Sequence, residues 1–312
     1  AKALDKADAL GVARVGEAVE LRQSGVNAEL VLMEGCFDVD EYQQAIKYNL
    51  QLVIHNQQQL EQFLGLKTEV QLKVWLKLDT GMHRLGFDET EFSNALGLLK
   101  TSNHCDPDII LISHMACADE IDSVMNQKQI NQFVRVMADK PNKLSMANSA
   151  TIVSKPELHL DWVRPGLMLY GCSPMIDTCG HVHDLIPVMK FTTKVIAIKT
   201  VKQGEFVGYG SRWQAPQDTQ IAVLAVGYGD GYPRHAKDGT PVMIGKKRYP
   251  LVGSVSMDMI TVDIGSDKHQ IGDEAVLWGG DLPAEEVATW ADTISYTLFC
   301  GITKRVVRKY VD

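Results

Sequence analysis

The sequence predicts an α/β fold in two parts, a parallel β/α region over residues 1–185 and a mainly antiparallel β domain over residues 186–312. Three observations carry this. Up to about residue 185, apolar runs of roughly four to eight residues alternate with segments of helical period, the pattern of βαβ units around a parallel sheet. From about residue 186 the texture changes to short β-rich runs separated by Gly, Pro and Asp, which is the pattern of an antiparallel domain. The 312 residues are two domains' worth of chain at about 150 residues each, long enough to bury a core without a disulfide or metal staple.

The elements follow in order. Residues 1–8 are rich in helix formers. Strands are expected at residues 9–15, 29–34, 50–55, 70–79, 109–115, 144–147 and 162–163. Helices are expected between them at residues 16–24, 38–49, 57–66, 89–100, 121–139 and 149–155. That makes seven strand signals. A closed (β/α)8-type barrel takes eight, whereas an open doubly wound sheet accommodates seven; the pattern alone leaves both open. In the second part, residues 188–200, 220–226, 241–244, 251–264 and 275–278 read as strands, and only 283–291 reads as a helix. The boundary falls in residues 172–187, which carry Pro, Gly and a His-x-His.

Composition narrows the function. Lys and Arg number 31 against 39 Asp and Glu, so the net charge is −8. That argues against nucleic acid and against an anionic membrane surface as partners, since both call for a basic face. No apolar run reaches the 18 residues of a membrane-spanning helix. Hydrophobic residues at 45% and charged residues at 22% exclude a largely disordered chain. The six cysteines, Cys36, Cys105, Cys117, Cys172, Cys179 and Cys300, are dispersed and form no C-x-x-C. With no signal-peptide pattern, they read as reduced thiols in a cytoplasm. His181-x-His183-Asp184 offers no third metal ligand and reads as a solvated loop, so no metal is expected.

In a parallel barrel, active sites sit at the C-terminal ends of the strands. There the fourth strand delivers Lys77 and Asp79, with Arg84 just beyond; the fifth delivers His114; the sixth runs into Asn148-Ser149 and the seventh into Arg164-Pro165-Gly166. Singly, each has an ordinary reading: a strand-end lysine, a core histidine, salt-bridge arginines, a helix-capping serine. Together they make a cationic rim. The backbone after Arg164 and the turn at Ser149 suit a phosphate. In the second part, Val-Gly-Tyr-Gly-Asp-Gly-Tyr-Pro-Arg at 226–234 lacks dinucleotide-fingerprint spacing. Its small residues leave the Tyr228 ring free to meet a partner surface, although a plain Gly-rich turn accounts for the same spacing.

Six segments then bear on identity. Leu-Lys-Leu-Asp-Thr-Gly-Met-His-Arg-Leu-Gly (76–86), Ser-His-Met-Ala-Cys-Ala-Asp-Glu (113–120), Ala-Asn-Ser-Ala (147–150), Val-Arg-Pro-Gly-Leu-Met-Leu-Tyr-Gly (163–171), Gly-Tyr-Gly-Asp-Gly-Tyr-Pro-Arg (227–234) and Val-Gly-Ser-Val-Ser-Met-Asp-Met (252–259) resemble alanine racemase in order and spacing across the whole chain. The resemblance implies a (β/α)8-type barrel, seven of whose strands lie in this chain, followed by the β domain. It implies pyridoxal 5′-phosphate as cofactor, alanine as substrate, and a homodimer with shared active sites. It makes Tyr228 one of two opposed catalytic bases, reaching the neighbouring subunit's cofactor. Arg164 would hydrogen-bond the pyridine nitrogen, His114 would link that arginine to the tyrosine, and Arg84 and the backbone of Met257 would meet the substrate carboxylate. Ser149, Gly166 and Leu167 would bind the phosphate, and Lys77 would be the lysine that is often carbamylated. Racemisation removes a proton from one face and returns it on the other, so two bases are needed; a cationic pair, His114 and Arg164, would favour the tyrosine's phenolate.

Two departures accompany the resemblance. The family's Schiff-base lysine, with the Ala-Asn-Ala-Tyr-Gly-His-Gly that follows it, does not occur in residues 1–312. The expectation is therefore a chain that starts after the first barrel strand and is inactive or impaired as written, its opening residues being the end of a helix. Lys304 stands where some members place a phosphate-binding tyrosine. Rival readings are a decarboxylase or aldolase of the same fold and a non-enzymatic pyridoxal-phosphate-binding protein.

Overall fold

The computed structural model describes residues 1–311 and divides into two compact units, Ala1–Pro165 and Gly166–Asp312. The division falls earlier in the chain than the change of texture near residue 185. Leu167 and Cys172 explain why: both are buried in the apolar cluster of the second unit.

The first unit alternates as its periodicity predicts: β1 (Ala9–Val12), α1 (Val15–Gln23), β2 (Glu29–Leu32), α2 (Val39–Lys47), β3 (Gln51–Ile54), α3 (Gln57–Leu64), β4 (Val74–Lys77), α4 (Glu89–Lys100), β5 (Ile110–Ile112), α5 (Val124–Met137), β6 (Leu144–Ser145) and α6 (Ser149–Ser154). The strands pair in parallel in the order β1-β2-β3-β4-β5-β6, the sheet of a β/α barrel. Local chemistry sets the helix starts. The Asp38, Asn56, Asp88 and Asn148 side chains each accept a backbone N–H three residues on, satisfying donors that the first turn leaves unpaired. β3 and β4 are buried at every position, as expected of strands covered on both faces. Alternation sorts their side chains. Val31, Val53, Trp75, Ile110 and Ile112 form one cluster, with Trp162 packed against it. Trp75 donates its indole N–H to Gln51 Oε1 (2.6 Å) and meets Trp162 edge-on.

The expected seventh strand is reduced to a single parallel bridge between Asn148 and Arg164. Pro165 has no N–H to extend a ladder there. Residues 1–8 hold only a 3-10 turn at Lys2–Leu4, shorter than the helix the composition suggested.

The second unit carries β7 (Phe191–Val201), β8 (Phe206–Val207), β9 (Trp213–Gln214), β10 (Thr219–Leu224), β11 (Pro241–Ile244), β12 (Lys247–Pro250), β13 (Ile260–Gly265), β14 (Glu274–Trp278), α7 (Ala284–Trp290) and α8 (Ser295–Gly301). Six strands pair antiparallel in the order β12-β11-β14-β7-β10-β13, and β8-β9 is a separate pair. β13 alternates buried and half-buried positions, the signature of a sheet with one covered face. Trp278, wholly buried, packs on Phe191 and Tyr232 at the centre of the core. The expected strand at 251–264 splits: only Ile260–Gly265 is a strand, and the residues before it form a loop around Gly253, whose φ is +76°. β12 and α8 were not expected.

Among the described residues no disulfide forms, no group of His, Cys, Asp and Glu has metal-holding geometry, and no helix is long and apolar enough to cross a membrane.

Candidate active site

Lys77 ends β4 on the same face as Trp75, two residues earlier. Its side chain is 8% exposed and has no hydrogen-bond or ion-pair partner among the described residues. Burial, followed by the charges of Arg164 and Arg84, pushes its pKa down to about 8, against the opposing pull of Asp79. Asp79 is already engaged. Its Oδ1 accepts the N–H groups of Gly81 (2.8 Å) and His83 (3.1 Å), and its Oδ2 lies 3.0 Å from His83 Nδ1. Burial would raise this carboxyl, but these bonds outweigh it and hold it below its ordinary value. The turn they build carries the exposed Arg84. At Gly86, φ is +124° and a Cβ would lie 2.6 Å from the Asp79 nitrogen, so only glycine closes it.

His114 follows β5, and Arg164 forms the bridge to Asn148, its N–H bonded to Ala147 O (2.9 Å). The Arg164 guanidinium donates to Ser145 Oγ, to Ser113 O (2.6 Å) and, at 3.4 Å, to His114 Nδ1. It forms no ion pair with a carboxylate among the described residues, and burial lowers its pKa to about 10. Guanidinium can only donate, so His114 Nδ1 accepts and the ring proton sits on Nε2. Asn148 Nδ2 also approaches Nε2 (3.4 Å), but it can turn its donor to Met115 O (3.3 Å). Its Oδ1 is fixed by Thr151 N and Oγ1, which settles the amide's orientation. Burial, then the charges of Arg164, Lys77 and Arg84, push the His114 pKa down to about 3. His114 is therefore a neutral imidazole. The expected cationic pair is corrected to one cation, Arg164, bonded to a neutral ring.

Lys77, Asp79, Met82, Arg84, Ser113 and His114 line one pocket. Three cations border this region, and the one carboxylate among its lining residues is taken up by its own turn. That imbalance calls for an anionic ligand. An aromatic ring nitrogen accepting from Arg164 and a carboxylate near Arg84 match the donor set, so the residues present fit a pyridoxal-type cofactor with an amino-acid substrate. Ser149, buried, opens α6 in this same unit.

The second unit brings other expected residues together. Tyr228 N–H bonds Ser256 O (3.0 Å) and Gly229 N–H bonds Met257 O (2.9 Å), so the Tyr228 turn and the Met257 loop are laced side by side. A Cβ on Gly227 would stand 2.3 Å from both Ser256 O and Met257 O. Arg305 adds a second tie, donating to Asp258 Oδ1 (2.6 Å) and lying 3.4 Å from Asp230 Oδ1. Thr303, just before Lys304, bonds Gly229 O and Asp230 O. Gly166 and Leu167 begin this unit, Leu167 heading a 3-10 turn.

Tyr209 did not figure among the residues expected from the sequence. It lies between β8 and β9 and is 74% exposed, against 41% for Tyr228. Gly208 (+73°), Gly210 (+70°) and Ser211 (+50°) around it all have positive φ, and Ser254 Oγ donates to Tyr209 O (3.1 Å). Backbone in sparsely populated regions clusters at functional sites. The signal was present in the sequence, since Gly-Tyr-Gly at 208–210 has the same small-residue flanks that drew attention to Tyr228.

A β/α-barrel sheet with an anion-seeking arginine–histidine rim, in one chain with an antiparallel domain that displays tyrosines, defines a class of two-domain cofactor-dependent enzymes. Comparison identifies the member. The description "Alanine racemase, N-terminal domain" matches residues 1–174, and "Alanine racemase, C-terminal domain" matches residues 188–310. The alanine racemases of Shewanella sediminis and Shewanella woodyi are 46% and 45% identical over 307 residues, covering 98% of this chain and 86% of theirs. The crystal structure of the biosynthetic alanine racemase from Pseudomonas aeruginosa superposes with a TM-score of 0.96 at 40% identity, covering 99% of this chain and 86% of that one. The alanine racemase of Acinetobacter baumannii gives 0.93 at 40% identity. The chain belongs to the alanine racemase family.

Proposed function

We propose that this protein interconverts L- and D-alanine with pyridoxal 5′-phosphate. The observation that carries this is the part-buried Arg164 guanidinium, which pairs with no carboxylate among the described residues and donates to a neutral His114. Pyridoxal 5′-phosphate, when bound, supplies the electron sink that acidifies the α-proton of alanine. The chain's own residues would bind and orient these groups and supply one of the two opposed bases that racemisation needs. Arg164, able only to donate, would hold a pyridine nitrogen as an acceptor and so keep it unprotonated. Ser149, Gly166 and Leu167 would hold the phosphate, and Arg84 with the Met257 N–H would orient the substrate carboxylate. A tyrosine of the second unit, contributed by the other copy in a homodimer, takes up and returns the α-proton on one face. His114, with its proton on Nε2, would donate a hydrogen bond to that tyrosine's oxygen.

Exposure and backbone favour Tyr209 over Tyr228 as this base; the lacing of Tyr228 to the Met257 loop suits a substrate-guiding role instead. Lys77 is proposed to be carbamylated: its lowered pKa leaves free amine to capture carbon dioxide, and the carbamate would neutralise Arg84 and Arg164. Six cysteines free of disulfides support a cytoplasmic setting. The family match disfavours the decarboxylase, aldolase and carrier readings.

The test is D-alanine formation from L-alanine by the purified protein with added cofactor, against carbon dioxide release. Tyr209→Phe is expected to lose about a hundredfold or more in kcat in at least one direction, with Tyr228→Phe reduced far less. The reverse ranking returns the base to Tyr228, and carbon dioxide without D-alanine removes the racemase reading. Native intact mass of the same sample should show one carbon dioxide on Lys77, lost on acidification and absent from Lys77→Ala.

A further inference from the structure

Gln129 lies on α5, outside the residues assigned above, and is wholly buried. Its amide is fully used. Nε2 donates to His114 O (2.9 Å) and to Thr80 Oγ1 (3.0 Å), and Oε1 accepts from Ala116 N (2.8 Å). The two bonds to His114 O and Ala116 N grip the backbone on either side of Met115, which fixes the peptide that carries the imidazole. The third bond orders a hydroxyl chain. Thr80 Oγ1, which accepts the amide N–H, also shares a hydrogen bond with Ser113 Oγ, 2.8 Å away. Thr80 follows β4 and Ser113 follows β5, so one side chain ties both strand ends to one helix. Ser113 O and His114 Nδ1 are two of the acceptors that aim Arg164. Next to Thr80, Gly81 closes onto the same helix: a Cβ there would meet Met125 Cε at 3.3 Å and Gln129 Cγ at 3.9 Å.

We infer that Gln129 is a positioning residue for the Arg164–His114 pair: its amide holds the His114–Ala116 backbone so that Nδ1 faces Arg164 and the ring proton stays on Nε2. A buried side chain used only for packing would not need all three of its hydrogen bonds directed at strand ends. The kinetic part of the inference rests on the racemase reading; the tautomer does not.

The experiment compares wild type with Gln129→Met, which keeps the volume and loses all three bonds, and with Gln129→Glu, which keeps the acceptor and loses both donors. Long-range proton–nitrogen NMR of 15N-histidine protein at neutral pH, assigned with His114→Gln, reads the His114 tautomer. Wild type should show a single Nε2–H form, and both variants a mixture. In the holoenzyme, kcat should fall about tenfold with KM for alanine within about threefold, because the carboxylate contacts are elsewhere. A mixed tautomer in wild type overturns the inference, as do variants that keep the single tautomer and lose only thermal stability. If Gln129→Met does not fold, Gln129→Glu decides alone. If wild type makes no D-alanine, the racemase reading fails while the tautomer still judges Gln129.

Discussion

His114 shows how three neighbouring cations and burial set one residue's chemistry. Its pKa lies near 3 in the fold and near 6.5 in an unfolded chain. Below pH 6.5 the unfolded state takes a proton that the native state refuses, so stability falls as pH drops from 6.5 toward 3, by about 1.4 kcal/mol per pH unit from this residue. His114→Gln removes that contribution. Urea unfolding of both proteins across this window should show wild type losing its advantage as pH falls; a constant difference would falsify the neutral assignment. The residue's position was legible in the sequence, because Ser-His-Met at the end of an apolar run places it at a strand end. Its neutrality was not, because Lys77, Arg84 and Arg164 come from other strands and only the folded sheet gathers them. Tyr209 failed for a different reason. Its flanking glycines were visible, but exposure and the run of positive φ angles appear only in the folded loop.

At the scale of elements, helices were the most legible parts. α2, α3 and α4 begin where Asp38, Asn56 and Asp88 cap them, a local interaction that needs no tertiary partner. α8 escaped because Ser-Tyr-Thr-Leu-Phe-Cys-Gly is rich in aromatic and β-branched residues of weak helix preference; burial of Leu298 in the second core holds it. The paired turns at Tyr228 and Met257 depend on a missing side chain. Gly227 has an extended backbone, so alanine there is opposed by contact alone, with Ser256 O and Met257 O. Gly227→Ala should cost about 1–3 kcal/mol and raise KM for alanine by loosening the Met257 loop. Gly16→Ala, in α1 with open space around its Cβ, should stabilise by about 0.4–1 kcal/mol. Thermal melts of the two variants separate the cases, and equal melting points would remove the steric account.

At the scale of the molecule, the proposal divides labour between units: Arg164, His114 and Lys77 from the first, the tyrosine and Met257 from the second. If sites are shared between copies, two inactive variants should rescue each other. Mixing His114→Gln with Tyr209→Phe after unfolding and reassembly makes half the dimers mixed, each with one intact site, so activity should return to about a quarter of wild type. No recovery, with mixed dimers shown to form, would exclude shared sites. The sequence by itself determined the two-part architecture, the strand-by-strand delivery of Lys77, His114, Ser149 and Arg164 to one end of the sheet, and the family, because periodicity, caps and motifs are properties of neighbouring residues. Only the tertiary structure decided that His114 is neutral, that Lys77 has no partner among the described residues, that Gln129 bonds the backbone on both sides of Met115, and that Tyr209 is the better-displayed phenol. Each of those depends on desolvation and on charges or hydrogen bonds between residues far apart in the chain, which no local pattern records.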